Sequence, residues 1–118
     1  MYGIPVDETF AFIEGRVLAQ LCFGRHELIL NFDDGLSTTV EGALGITLAG
    51  AAESVVDDAL DIASVLVDLI SATVTAIEVN YPRSFSMGFA QGHIVRLIDS
   101  SERYESFQVR HGDRLIVV

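Results

Sequence analysis

Short segments in which apolar and polar residues alternate recur along this sequence. The segment 27–32 is one example, and the segment 84–89 is another. Alternation with a period of two is typical of a β-strand that buries one face. The pair Asp34-Gly35 follows the first of these segments directly, and a DG pair between alternating runs favours a tight hairpin. The pattern predicts strands over residues 16–23, 27–32, 36–41, 72–79, 84–89, 93–98, 107–110 and 115–118.

Two segments predict helices instead. Between Val56 and Ile70, apolar residues recur at helical spacing, and Ser54 offers a side-chain oxygen as an N-terminal cap. We therefore expect a long, well-buried helix over residues 54–71 and a short helix over residues 6–14. The polar stripe of the long helix would consist of Asp57, Asp58, Asp61, Ser64 and Asp68.

The sequence also resembles itself when it is shifted by 57 positions, which aligns Leu28 with Phe85. Two copies are too few for a solenoid, so we expect a single domain of residues 1–118, built from pseudo-repeats at about 6–48 and 63–105. The predicted fold class is α+β. It consists of an antiparallel sheet of about six to eight strands, packed with one long and one short helix.

Composition adds an uneven distribution of charge. The chain of 118 residues has a formal net charge of −10, and between His26 and Pro82 it has ten carboxylates but no lysine or arginine. Such a field repels nucleic acid and anionic membranes, and it accelerates encounters with a basic partner. Lysine is absent throughout, which excludes a phosphate-loop lysine and a Schiff-base lysine.

Compartment and redox state follow from a few simple features. Cys22 is the single cysteine and lies in an apolar run, which predicts a reduced, buried thiol. Residues 1–14 lack the basic and apolar regions of a signal peptide. The weakly polar run 55–79 is interrupted by acids and cannot cross a bilayer. We therefore expect a cytoplasmic protein.

No motif indicates a reaction. The aspartates 57, 58 and 61 are similar to the magnesium-binding cluster of prenyl-chain synthases, but those enzymes need a second cluster and a far larger helical bundle. The three histidines lack metal-ligand spacing, and no serine lies in a G-x-S-x-G motif. We expect no catalytic residue, no metal and no cofactor.

Two short motifs carry a resemblance to a known family. Residues 32–35 read F-D-D-G, and residues 104–107 read Y-E-S-F. They resemble a family of small bacterial α+β proteins of uncharacterised function, whose members have an F-x-D-G hairpin and a Y-E-S-[FW] signature. The similarity covers about residues 15–118, although residues 90–91 replace an acidic second turn. Proteins of this kind often occur beside polymorphic or contact-dependent toxins, so the resemblance implies an immunity protein.

We therefore expect a non-enzymatic, acidic immunity protein that binds a basic toxin domain, such as a nuclease, and binds neither nucleic acid nor membrane. One alternative is a homodimeric or scaffold module that pairs through an edge strand at residues 115–118. Another is an enzyme whose acids or histidines are brought together by folding. The expected partner-binding residues are Asp33, Asp34, Glu53, Asp57, Asp58, Asp61 and Asp68.

Overall fold

Two five-stranded antiparallel sheets make up most of the structure, a computed structural model that describes residues 3–118. Its strands are β1 Leu18–Phe23, β2 Leu28–Phe32, β3 Leu36–Val40, β4 Leu44–Thr47, β5 Ser54–Val56, β6 Val74–Asn80, β7 Ser84–Phe89, β8 Ile94–Ile98, β9 Phe107–His111 and β10 Arg114–Val117. The first sheet has the order β1-β2-β3-β9-β10, and the second has the order β5-β4-β8-β7-β6. All eight strands predicted from alternation are confirmed to within two residues.

The predicted α+β class is wrong, because the long helix over residues 54–71 does not form. Ser54–Val56 is strand β5, and helical structure is limited to a 3₁₀ helix at Ala59–Ile62 and a single α-helical turn at Ala63–Val67. Asp58 has an extended backbone, and its side chain accepts a hydrogen bond from the Leu60 N–H. The fold is mostly β, with ten strands within residues 3–118 rather than six to eight.

The short helix predicted over residues 6–14 is reduced to the 3₁₀ helix Ala11–Ile13. Phe10 precedes it with a φ of 54°, in the left-handed region, which prevents a continuous helix. The Glu8 carboxylate holds this conformation by accepting a hydrogen bond from the Phe10 N–H at 2.9 Å. At both predicted helices, a carboxylate therefore accepts a hydrogen bond from the backbone N–H two residues further on, where a continuous helix would have its own backbone hydrogen bonds.

Each half of the chain contributes strands to both sheets, an arrangement that we call strand exchange. Strands β1 to β3 belong to the first sheet, but β4 and β5 cross to the second, where β4 pairs with β8. In the second half, β6 to β8 belong to the second sheet, and β9 crosses back to pair with β3. The registers repeat at the same offset, since Leu28 pairs with Val40 and Phe85 pairs with Leu97.

The hydrophobic core lies between the sheets. Phe85 on β7 and Phe107 on β9 come from different sheets, and their ring centroids are 5.5 Å apart. Phe10 stacks on the other side of Phe85 at 4.1 Å, and all three side chains are buried. Stacked and edge-on aromatic pairs of this kind add specificity to the burial of apolar area.

The two exchanging segments cross at Ser106, the serine of the Y-E-S-F motif. Its carbonyl accepts hydrogen bonds from the N–H groups of Glu41 and Gly42, both at 2.8 Å. Its hydroxyl accepts a bond from the Ser100 N–H, and the Ser100 hydroxyl accepts one from the Ala43 N–H. These hydrogen bonds tie residues 41–43, which precede β4, to Ser100 and Ser106, which precede β9.

No helix within residues 3–118 is long and apolar enough to cross a membrane.

Candidate functional site

The seven predicted partner-binding carboxylates fall into two groups. Asp33 and Asp34, at the β2–β3 turn, belong to the group that already has partners. Arg16 contacts Asp34 at 3.1 Å and Asp33 at 3.9 Å, and Asp33 also accepts a hydrogen bond from the Val17 N–H. His111 lies 3.5 Å from Asp34. These two carboxylates therefore tie the turn to its surroundings.

Glu53 is the third carboxylate with a partner. Its two oxygens accept hydrogen bonds from the Arg96 guanidinium at 2.7 and 2.8 Å, which is the bidentate geometry that favours arginine. The Glu53 side chain crosses the outer face of the second sheet at Gly45, where a Cβ would lie 2.8 Å from Glu53 Cδ. Because Gly45 has no Cβ, the Glu53 side chain has room to reach Arg96.

The second group consists of Asp57, Asp58, Asp61 and Asp68, which we call the free aspartates. All four are exposed, and none forms a salt bridge within residues 3–118. Asp57 and Asp58 follow β5, while Asp61 and Asp68 lie in and directly after the helical segment of residues 59–67. Four carboxylates without a salt bridge therefore face solvent along one stretch of chain, residues 57–68.

A small cleft lies beside Asp57 and Asp58. Its volume is about 120 Å³, well below the roughly 300 Å³ that small-molecule sites start from. Glu27 and Glu41 contribute two further carboxylates, from the ends of the β2–β3 hairpin. The cleft can accept a single basic side chain, but it is too small for a metabolite of ordinary size.

Sequence reasoning did not include Glu27 and Glu41 in the site. Both belong to the acidic block, the segment between His26 and Pro82 that holds ten carboxylates. Only the pairing of β2 with β3 puts their positions side by side. Arg25 and His26 also line the cleft, so its wall is not purely acidic. The free aspartates extend away from this cleft along the helical segment.

His93, His111 and Cys22 each form local contacts in the structure. Within residues 3–118, no group of three or more histidine, cysteine, aspartate or glutamate side chains could hold a metal ion. His93 Nδ1 accepts a hydrogen bond from the Ala49 N–H, and His111 stacks on Phe12 with ring centroids 5.4 Å apart. Cys22 is half-buried and lies 3.7 Å from the Asn31 amide nitrogen. These groups are used in separate local contacts.

The edge strand predicted for self-pairing is an outer strand in the structure. Strand β10 is the last strand of the first sheet, and Leu115 and Val117 on it are exposed. Arg114, at its start, contacts the Glu8 carboxylate and lies over the Phe12 ring at 5.0 Å. One end of this edge is therefore occupied by the N-terminal segment of the same chain.

No protein-family model, no curated protein and no solved structure matches this chain.

Proposed function

We propose that this chain is a non-enzymatic, acidic immunity protein that binds and neutralises a basic toxin domain through the free aspartates. One observation carries the proposal: the protein pairs Asp33, Asp34 and Glu53 with its own arginines but leaves these four exposed carboxylates without a salt bridge within residues 3–118. Surface charge of one sign that no cation balances adds to self-repulsion, which favours an external function for these carboxylates.

The identity of the partner class comes from the family resemblance, and the charge supports it. A nuclease holds the phosphates of its substrate with arginine and lysine, and carboxylates can occupy the same donors. The cleft beside Asp57 and Asp58 has room for one such side chain. The other free aspartates would then act mainly on the rate of encounter, as charges at the rim of an interface do.

The test is a rescue of growth against the toxic domain encoded by the gene immediately upstream. One variant replaces all four free aspartates by asparagine, which keeps the hydrogen-bond acceptor of Asp58 for the Leu60 N–H. We expect loss of rescue and, with the purified domains, association at least about tenfold slower at low salt. The dependence of association on salt should also become weaker.

A matched control neutralises four exposed acids outside the acidic block, none of which forms a salt bridge within residues 3–118. They are Asp7, Glu14, Glu102 and Asp113. Both variants change the net charge by the same amount, so only the position of the charge differs. If the two variants rescue growth equally well, or if the unchanged protein gives no rescue, the proposal is wrong.

A further inference from the structure

Strand β1 is an outer strand of the first sheet and pairs with β2 only. At the turn between them, the Gly24 N–H donates to the Glu27 carbonyl at 2.8 Å, so these two residues form a hydrogen-bonded pair. Bonded and non-bonded pairs alternate along an antiparallel ladder, so Cys22 also bonds to β2, whereas Leu21 and Phe23 do not. The backbone N–H and C=O groups of Leu21 and Phe23 therefore point away from β2, toward the free edge of the sheet.

The hydrogen bonds of β3 give the same result. The Glu41 N–H donates to the Ser106 carbonyl, so Val40, the residue before it, directs its backbone groups to Leu28 on β2. Leu28 consequently bonds to β3 and not to its other neighbour, Phe23 on β1. Within residues 3–118, no hydrogen bond reaches the outward backbone groups of β1 at positions 21 and 23. We call these N–H and C=O groups the open edge.

The open edge lacks the features that usually prevent pairing with another chain. Residues 17–24 contain no charged side chain, in a chain with 17 acids and a net charge of −10. The irregular register of β1 lies between Leu18 and Gln20, before the open edge, and the following residues pair with β2 in regular order. Charges, prolines and bulges protect most natural edge strands, and positions 21–23 have none of them.

We infer that the open edge pairs with the open edge of a second copy of this chain. In an antiparallel pair centred on Cys22, Leu21 of each copy lies opposite Phe23 of the other, and every group of the open edge gains a hydrogen-bond partner. The same strand serves both copies, so the pair has two-fold symmetry and ends at a dimer. The first sheets of the two copies then form one continuous sheet of ten strands.

Charge and occupancy distinguish β1 from the other outer strands, β5, β6 and β10. On β6 the outward positions flank Glu78, which bonds to Ser86 on β7, so self-pairing would place two Glu78 carboxylates directly opposite each other. On β10, the N-terminal segment already contacts Arg114 through Glu8 and Phe12. Strand β5 is only three residues long. Strand β1 therefore lets a second copy join without opposing like charges.

Cys22 makes the register of this pair measurable. It would lie directly opposite Cys22 of the second copy in a non-hydrogen-bonded pair, with Cα atoms about 4.5 Å apart. A disulfide joins Cα atoms that are about 4.4–6.8 Å apart, so mild oxidation can link the two copies through these thiols. A cysteine in place of the exposed Ala19 would lie opposite position 25, so two such cysteines would be about 20 Å apart along the strands.

The first experiment measures amide hydrogen exchange and sedimentation of the full chain in reducing buffer at increasing protein concentration. As the dimer forms, we expect exchange at Leu21 and Phe23 to slow at least about tenfold, because their N–H groups become hydrogen-bonded. The Cys22 amide, which bonds to β2, should exchange slowly at every concentration. Leu115 and Val117 on β10 are the control, and their exchange should not change. Higher salt should tighten the dimer, because each copy has a net charge of −10.

The second experiment tests the register and the charge argument. Oxidation should convert the full chain to a disulfide-linked dimer, whereas the variant Cys22→Ser with Ala19→Cys should not cross-link. Cys22→Glu should weaken dimerisation at least about tenfold, because two carboxylates would lie directly opposite each other. Thr39→Glu is the matched control, since Thr39 lies in the same cross-strand row but two strands from the edge. It adds the same charge and should dimerise like the unchanged protein, and circular dichroism checks that both variants are folded.

The inference is overturned if the unchanged chain remains a monomer at every protein and salt concentration. It is also overturned if exchange slows at Leu115 and Val117, or at Ile77 and Val79 on β6, instead of at the open edge. Equal cross-linking of cysteines at positions 19 and 22 would overturn it as well. None of these outcomes bears on the proposed function, because the free aspartates lie within residues 57–68 and are tested by growth rescue.

Discussion

Gly45 shows how the absence of a side chain determines which charges of this protein remain available. Glu53 reaches Arg96 only because the strand surface beneath it has no Cβ. The pair neutralises one acid of the block, so Glu53 belongs with Asp33 and Asp34 among the carboxylates that act within the fold. A single glycine therefore decides that Glu53 pairs within the fold, unlike the free aspartates.

We expect Gly45→Ala to lower the free energy of unfolding by about 1 kcal/mol, because the new methyl group displaces Glu53 from Arg96. Gly88→Ala is the matched control on β7 of the same sheet, where a Cβ would be in ordinary contact at 3.6 Å from Ala76 Cβ. That substitution should be neutral or stabilise by about 0.5 kcal/mol, since alanine loses less backbone entropy than glycine. Urea unfolding measures both, and equal effects would contradict the assigned role of Gly45.

The Y-E-S-F motif also divides into separate roles at this scale. Ser106 and Phe107 are buried at the strand crossing and in the core, whereas Tyr104 is exposed and Glu105 accepts a hydrogen bond from Gln108. Two of the four residues of the motif therefore act within the fold. Its tyrosine is free to contact solvent or a partner.

At the scale of elements, the helical segment differs most from its sequence pattern. A long helix would have buried Leu60, Leu66, Val67 and Ile70 together, but only Leu66 of these lies in the core. Strand β5 takes the first residues of the segment, and Ser71, with a φ of 76°, ends it before β6. The α-helix that remains, Ala63–Val67, is too short to bury all of the apolar side chains of the segment.

Substitution of two adjacent residues tests this orientation. Leu66→Ala removes a fully buried side chain and should lower the free energy of unfolding by about 2–4 kcal/mol. Val67→Ala, at a half-exposed position, should change it by less than about 1 kcal/mol. Both are measured by chemical denaturation. Similar losses for the two variants would indicate that Val67 is buried, as a long helix would require.

At the scale of the whole molecule, strand exchange makes each sheet depend on both halves of the chain. Strand β4 has its neighbour β8 in the second half, and β3 has its neighbour β9 there. Neither half therefore contains a complete sheet, even though each contains a three-stranded meander. The hydrophobic core is likewise shared, since Phe10 from the first half of the chain stacks on Phe85 from the second half.

This arrangement predicts that the two halves do not fold separately. A fragment of residues 1–57 should be unfolded on its own, because the inner face of its meander has no second sheet to cover it. Amide spectra of the labelled fragment should lack dispersion, while the full chain should unfold in one cooperative transition. A well-dispersed spectrum from the fragment would contradict the exchange of strands.

The eight alternating strands could be predicted because alternation is a local property: Leu28 and Leu30 share a face whatever lies opposite them. Strand β4, in the glycine-rich stretch 42–50, could not be predicted in this way, since its position is set by pairing with β8. The same distinction between local and distant properties applies to the candidate site. The acidic block was visible in the sequence, whereas the pairing of Glu53 with Arg96, 43 positions away, was not.

The sequence alone determined the alternating strands, their turns and the concentration of carboxylates in one half of the chain, because each depends on neighbouring residues only. Tertiary structure decided that the start of the predicted helix became strand β5. It also decided which arginine pairs with which acid and which apolar side chains remain on the surface. Those outcomes depend on competition between distant partners for the same core and the same charges.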